Sequence, residues 1–161
     1  MLSPKPAVNI VSKAGGFQFA EAGQIVLSYQ SETKRCDAAH SRSHYIHPLY
    51  GLDGEVLTEE FPSDHPHHCG IFWAWHQVWI GDKRIGDAWS LKDFAWDVQD
   101  VKVISGDSDA SSLAAEVFWT SPLWTAPEGC ASRLSERPRQ SRCIEHHETC
   151  ARSILTSAWL P

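Results

Sequence analysis

The run Asp64-His65-Pro66-His67-His68-Cys69-Gly70-Ile71-Phe72-Trp73-Ala74-Trp75-His76 places four histidines within twelve residues, with two tryptophans among them and Trp79 just beyond. Imidazoles titrate near neutral pH and serve as bases, metal ligands and hydrogen-bond donors. Indole faces stack on sugars, flat rings and cations. A short segment holding both reads as one wall of a small-molecule site. His65, His67 and His68 are the candidate catalytic acids or bases. Arg42, His44, His47, Trp73, Trp75 and His76 are the candidate substrate-binding groups, Arg42 for hydroxyls or a carboxylate and the tryptophans for a pyranose face.

Two further chemistries compete for the same residues. In an extended segment His65 and His67 point one way and His68 the other. A metal site would use that pair, His44 or His47, and a carboxylate from Glu59, Glu60 or Asp64; the sequence leaves the metal and any cofactor undetermined. Glycoside hydrolysis needs two carboxyls about 5–10 Å apart across a cleft. Neighbouring strand residues face opposite ways, so Glu59 and Glu60 cannot be that pair, although one of them could partner Asp64 or Asp87. The plain structural reading is that neutral imidazoles tie loops to strand ends. That is the commoner role for any one histidine, and the clustering argues against it for all of them. No phosphate-binding glycine loop, serine nucleophile elbow or dinucleotide fingerprint is present.

The elements that must position these groups read as strands. Val8–Val11, Phe17–Ala20 and Ile25–Tyr29 are short apolar or alternating runs, separated by turns at Gly15-Gly16 and Ala22-Gly23. Residues 31–43 read as a polar loop and Ser43–Pro48 as an extended segment. Asp53-Gly54 marks a turn, and Val56–Phe61 is extended again. Pro62 and Pro66 bar a helix or central strand between them. Gly70–Ile80 is apolar on both faces and predicts a central strand covered on both sides. Gly81–Ser90 reads as a loop, and Ala95–Ile104 and Leu113–Trp119 as the last strands. Short strands, turn residues and no sustained 3.6-residue period predict an all-β fold, an antiparallel β-sandwich present in part.

The 161 residues carry a net charge of −6. Such a balance argues against nucleic acid as a partner, because phosphate neutralisation needs a basic surface. The Gly70–Ile80 stretch falls far short of the roughly 20 residues of a spanning helix, so no membrane span is expected. The start of the chain lacks a signal-peptide pattern, which points to the cytoplasm. Five cysteines without CxxC spacing suggest neither a disulfide framework nor a zinc site. Composition changes near residue 130: residues 1–129 hold six Lys and three Arg, residues 130–161 five Arg and no Lys, with three of the five Cys. The reading is an N-terminal part of a sandwich domain over 1–129 and an irregular or disordered tail over 130–161, with the pattern of a truncated or frame-shifted gene end.

The segment Arg42-Ser-His-Tyr-Ile-His-Pro-Leu-Tyr-Gly-Leu-Asp-Gly-Glu-Val-Leu-Thr, followed by Phe61-Pro-Ser-Asp-His-Pro-His-His-Cys-Gly-Ile-Phe-Trp-Ala-Trp, resembles a bacterial family of unknown function whose members carry the label "methane oxygenase PmoA". The resemblance covers roughly residues 15–125. It implies a β-sandwich nearly twice this length, of a kind that often binds sugars. The family pattern has Arg after the double histidine, where this chain has Cys69. The label implies oxygenase chemistry, but the membrane methane monooxygenase subunit of that name is a multi-span helical protein, unlike this chain. The expected function is therefore binding or processing of a carbohydrate-related small molecule at a His/Trp-lined site. The alternatives are a metal-dependent oxygenase-type enzyme and a non-catalytic β-sandwich interaction module. Because residues 130–161 lack any apolar period, limited proteolysis is expected to cut at Arg133, Arg137, Arg139 or Arg142 before it cuts within 15–120; early cleavage inside 15–120 with those arginines protected would refute the tail reading.

Overall fold

Strand pairs joined by tight turns build the first part of the molecule. In the computed structural model, which describes residues 8–105 and 111–124 and the backbone of 152–154, β1 (Val8–Lys13), β2 (Gly16–Glu21) and β3 (Gln24–Gln30) form an antiparallel meander. The Ala22-Gly23 turn has φ of 50° and 82°, the double left-handed geometry whose twist matches the flanking strands. Two short strands follow, β4 (Lys34–Arg35) and β5 (Ser41–Arg42), which pair with each other. β6 (Tyr45–Leu49) then adds to β3, giving a four-stranded sheet in the order β1-β2-β3-β6. Beyond lie the hairpin of β7 (Val78–Ile80) and β8 (Lys83–Gly86) and the long strands β9 (Ala95–Ser105) and β10 (Ser111–Thr120), with β11 (Arg152–Ile154) along the outer side of β10. Every regular element among the described residues is a strand, and the fold is all-β. Among those residues no helix is long and apolar enough to cross a membrane.

The chain divides into two compact units. The first takes its described residues from Met1–Trp73, Asp100–Glu116 and Ile154–Pro161, and the second from Ala74–Gln99 and Val117–Ser153. The core of the first unit is Phe19, Leu27 and Tyr29, alternate-position side chains of β2 and β3. Phe17, Ile46 and Leu49 pack around them, and Val101 and Leu113 close the cluster. In the second unit Ile85, Ala88 and Phe94 are buried, and the Phe94 ring meets Trp96 and Trp119 edge-on at centroid separations of 6.0 and 5.7 Å.

Several sequence expectations change. Gly70–Ile80 is not one central strand: Ile71 forms an isolated bridge to Ile46, residues 72–77 are irregular, and pairing resumes only at Val78. Gln77 at φ 58° breaks the extended run, and Trp75 and Trp79 remain largely exposed, so a two-sided apolar pattern here does not mark a two-sided burial. The polar stretch 31–43 contains the β4–β5 pair, and 81–90 contains β8, where Ile85 alone carries the inward apolar face. Val56–Phe61 is joined only by single bridges, Tyr50 to Val56 and Glu60 to Cys69. The expected tail over 130–161 lies outside the described residues except for the backbone of β11. Leu27 is 5 % exposed and Val11 47 %. Leu27→Ala is expected to cost about 2–5 kcal/mol and Val11→Ala roughly 0.5 kcal/mol or less in urea denaturation; equal losses would mean that the Phe19–Leu27–Tyr29 cluster is not the core.

Candidate functional site

In the first unit the histidine run is shaped by two consecutive turns. His65 N–H donates to Pro62 O at 3.1 Å and His68 N–H to His65 O at 2.9 Å. Proline favours such bends, because its fixed φ suits a turn and it has no N–H to offer a ladder. The loop is closed at its neck by Phe61 N–H to His68 O at 3.0 Å and Gly70 N–H to Glu59 O at 2.7 Å. Ile46 and Ile71 exchange reciprocal backbone hydrogen bonds of 2.9 and 3.0 Å, which fasten the loop exit to β6. Gly70 makes this approach possible: at φ 53° a Cβ there would lie 2.0 Å from Ile46 O.

This geometry brings His65, His67 and His68 together in an arrangement unlike that of an extended strand. His65 and His68 stack at 5.0 Å with planes 12° apart, and His67 stands edge-on to His68 at 4.4 Å. Arg42, 3 % exposed, donates through Nη2 to His67 O at 3.1 Å and lies 4.2 Å over the Phe72 ring. It also bonds the buried Cys69. Burial lowers the Arg42 pKa, and Cys69 partly counters it. Arg42 is therefore a structural cation beneath the loop. His67 is held below the ordinary imidazole value first by burial and then by the charges of His68, His65, Arg42 and His40. His65 Nδ1 faces the exposed Asp64 carboxylate at 2.9 Å.

The other two sequence-selected histidines of the first unit serve the sheet. The Tyr29 hydroxyl and His44 Nδ1 share a hydrogen bond of 3.0 Å, and burial pushes the hydroxyl up to about 12. Burial pushes His44 down, toward the neutral ring. His47 Nδ1 and Thr58 Oγ1 lie 3.0 Å apart, and Leu49 N–H donates to the same hydroxyl at 3.1 Å. Glu60 accepts from the buried Tyr45 hydroxyl at 2.5 Å and from Lys34 Nζ at 2.9 Å, which gives this carboxylate a bracing role. Among the described residues no three His, Cys, Asp or Glu side chains are grouped to hold a metal. Trp73, half-buried, ends the first unit's leading segment.

Trp75 and His76 belong to the second unit and line a cavity of about 500 Å³ there. Trp79, Trp119 and Trp124 share the wall with Ile85 and Ser121. Trp75 meets Trp119 edge-on at 5.4 Å. Ser121 Oγ donates to Ile85 O, tying the end of β10 to β8. The indole N–H groups of Trp119 and Trp124 are buried without an acceptor. His76 Nδ1 lies 2.6 Å from Asp87 Oδ2. Burial raises the Asp87 pKa, but hydrogen bonds from the backbone N–H groups of Ser90 and Trp89, together with the His76 charge, outweigh it and hold the carboxyl below its ordinary value. A Cβ at Gly86 would meet Asp93 O at 2.5 Å, so glycine lets the Asp87 loop close over the chain behind it.

Trp119 and Trp124 lie outside the sequence-selected set, and Asp87 enters it only as a possible carboxylate partner of Glu59 or Glu60, not as a partner of His76. Asp87 had a faint signal, an Asp three residues before Ser90 in a Gly-flanked loop, the spacing at which an Asp side chain caps following N–H groups. Nothing local marks Trp119 or Trp124 except the high tryptophan content.

The family model described as "Family of unknown function (DUF6807)" matches residues 17–148. The chain belongs to this family. No curated protein and no solved structure matches it.

The Glu60 brace has a pH consequence. Burial alone raises this carboxyl, but the hydrogen bonds from Tyr45 and Lys34 and the Lys34 charge outweigh it and hold it below its ordinary 4.5. A group depressed on folding stabilises above its unfolded pKa, and that contribution is lost as pH falls through the folded value. Glu60→Gln is expected to lower the melting temperature at neutral pH and to reduce the further loss below pH 4.5. A variant whose acid limb overlays the wild type would show that Glu60 carries no such linkage.

Proposed function

We propose that this DUF6807 protein binds a carbohydrate-related small molecule in the tryptophan-walled cavity of its second unit. One observation carries the reading: Trp75, Trp79, Trp119 and Trp124 line a single cavity of about 500 Å³ together with His76. That volume is in the range of small-molecule sites. Trp75 is 60 % exposed and Trp79 54 %, so both offer indole face on which a pyranose ring can stack. Trp119 and Trp124 complete the aromatic wall, with their indole N–H groups buried. Within this reading the "methane oxygenase PmoA" label names the same family, on the strength of the Asp64-His-Pro-His-His68 and His47-Pro-Leu49 segments, but oxygenase chemistry finds no grouped metal ligands among the described residues.

A panel of neutral and acidic monosaccharides titrated into the 161-residue chain, followed by tryptophan fluorescence and calorimetry, tests this. At least one sugar is expected to bind with a Kd in the micromolar to millimolar range, and Trp75→Ala is expected to weaken it about tenfold, equivalent to about 1.4 kcal/mol. A blank panel, or a Trp75→Ala chain with wild-type affinity, would favour a non-catalytic interaction module.

A further inference from the structure

We propose that His76 is a proton-transfer residue of the tryptophan cavity, acting as general base toward a hydroxyl of the bound ligand, with Asp87 as its positioning residue. The proposal rests on the ligand-binding reading above and deepens it.

Three histidine–aspartate pairs occur among the described residues, and only one has a buried carboxylate. The Asp37 side chain beside His40 is 52 % exposed and the Asp64 side chain beside His65 is 75 % exposed, whereas Asp87 is 5 % exposed beside a His76 ring that is 61 % exposed. Surface pairs of the first kind are weakened by solvent and contribute little. A buried carboxylate that touches an open imidazole is the arrangement that orients a catalytic base.

The hydrogen bonds around the pair fix which nitrogen is basic. Asp87 Oδ1 accepts from Trp89 N–H at 3.0 Å and Ser90 N–H at 3.1 Å, and Arg84 Nη2 stands 3.5 Å from Oδ2. These donors and the Arg84 charge favour the ionised carboxylate, which has no proton to offer. The hydrogen in the 2.6 Å contact therefore sits on His76 Nδ1. In the neutral ring Nε2 then carries the lone pair. The second contact agrees: the Gln77 amide nitrogen, which can only donate, lies 3.3 Å from His76 Nε2.

The backbone holds base and carboxylate in one clamp. Trp75 O, immediately before His76, accepts from Ala88 N–H at 3.0 Å and Trp89 N–H at 3.2 Å, immediately after Asp87. On the other side Gln77 is held at φ 58°, a left-handed conformation that a non-glycine residue adopts at some cost and that often occurs at functional sites. In the proposed step the ligand O–H bond breaks, an Nε2–H bond forms and the electron pair stays on the ligand oxygen. The imidazolium charge faces the Asp87 carboxylate. The proton returns from Nε2 to the ligand when the step completes, so charge balances and no oxidant or reductant is needed.

Carbethoxylation by diethyl pyrocarbonate, read at each histidine by mass spectrometry between about pH 5 and pH 9, tests this on the full chain, because the reagent attacks an unprotonated, accessible ring nitrogen. In Asp87→Asn, whose side-chain oxygen can still accept from Trp89 and Ser90, the carboxylate that faces His76 Nδ1 is removed. The carbethoxylation rate of His76 at high pH is expected to fall about threefold while His40 keeps its rate, since an imidazole without its carboxylate partner is a weaker nucleophile. A sugar that binds the cavity is expected to protect His76 in the wild type. An unchanged His76 rate in Asp87→Asn would overturn the proposal. Should that variant not fold, the long-range proton–nitrogen spectrum of the wild type decides: Nδ1–H with a bare Nε2 supports the proposal and Nε2–H overturns it. A blank sugar panel with the Asp87→Asn effects intact overturns the carbohydrate reading and still supports His76 as the base.

Discussion

The outer edge of β6 is where the four-stranded sheet would otherwise present unpaired backbone groups. Ile71 covers part of it through its two hydrogen bonds with Ile46. An unpaired edge invites pairing with other chains, so this contact protects the sheet as well as holding the histidine loop. Only a residue without a side chain fits the approach, and Gly70 is that residue. The double turn, the stacking of His65 on His68 and the placement of Arg42 under His67 all lie upstream of this fastening. Because the neck is tied by backbone bonds, the loop keeps its shape without relying on the histidines themselves.

The second unit uses a different device. One buried carboxylate, Asp87, collects the His76 imidazole, two backbone N–H groups and the Arg84 guanidinium. A buried charge is costly unless it is paired and hydrogen-bonded, and here both oxygens of the carboxylate have partners. The same contacts that make its burial tolerable also orient the imidazole. In the first unit, by contrast, Arg42 and Glu60 are taken up by bracing contacts, to His67 O and Phe72 for one and to Tyr45 and Lys34 for the other. Ionisable groups that the sequence offers as equals thus divide into braces and an oriented, solvent-exposed imidazole.

The histidine run and the tryptophan cavity follow one another in the chain yet belong to separate units. The run owes its compactness to prolines and short-range turns. The cavity draws Trp75 and Trp79 from one stretch and Trp119 and Trp124 from another some forty residues later.

Local rules in the sequence alone determined much of the architecture. Alternating apolar residues and glycine-bearing turns marked β1, β2, β3, β9 and β10 to within two residues at most ends, and Pro62 and Pro66 made the loop between them irregular. Ala22-Gly23 could be read as a turn because the backbone there needs left-handed geometry that few residues adopt easily. What the sequence could not decide was any feature that depends on a distant partner. The Gly70–Ile80 run carried an apolar pattern compatible with a covered strand, and only the turn at Gln77 and the bond pattern of Trp75 O show that it is not one. His76 stood out by type, but Asp87 became its partner through the β7–β8 hairpin and the backbone clamp between Trp75 and Ala88. Side-chain period reports which face a residue takes locally; which groups then meet is set by long-range pairing, and that only the tertiary structure could decide.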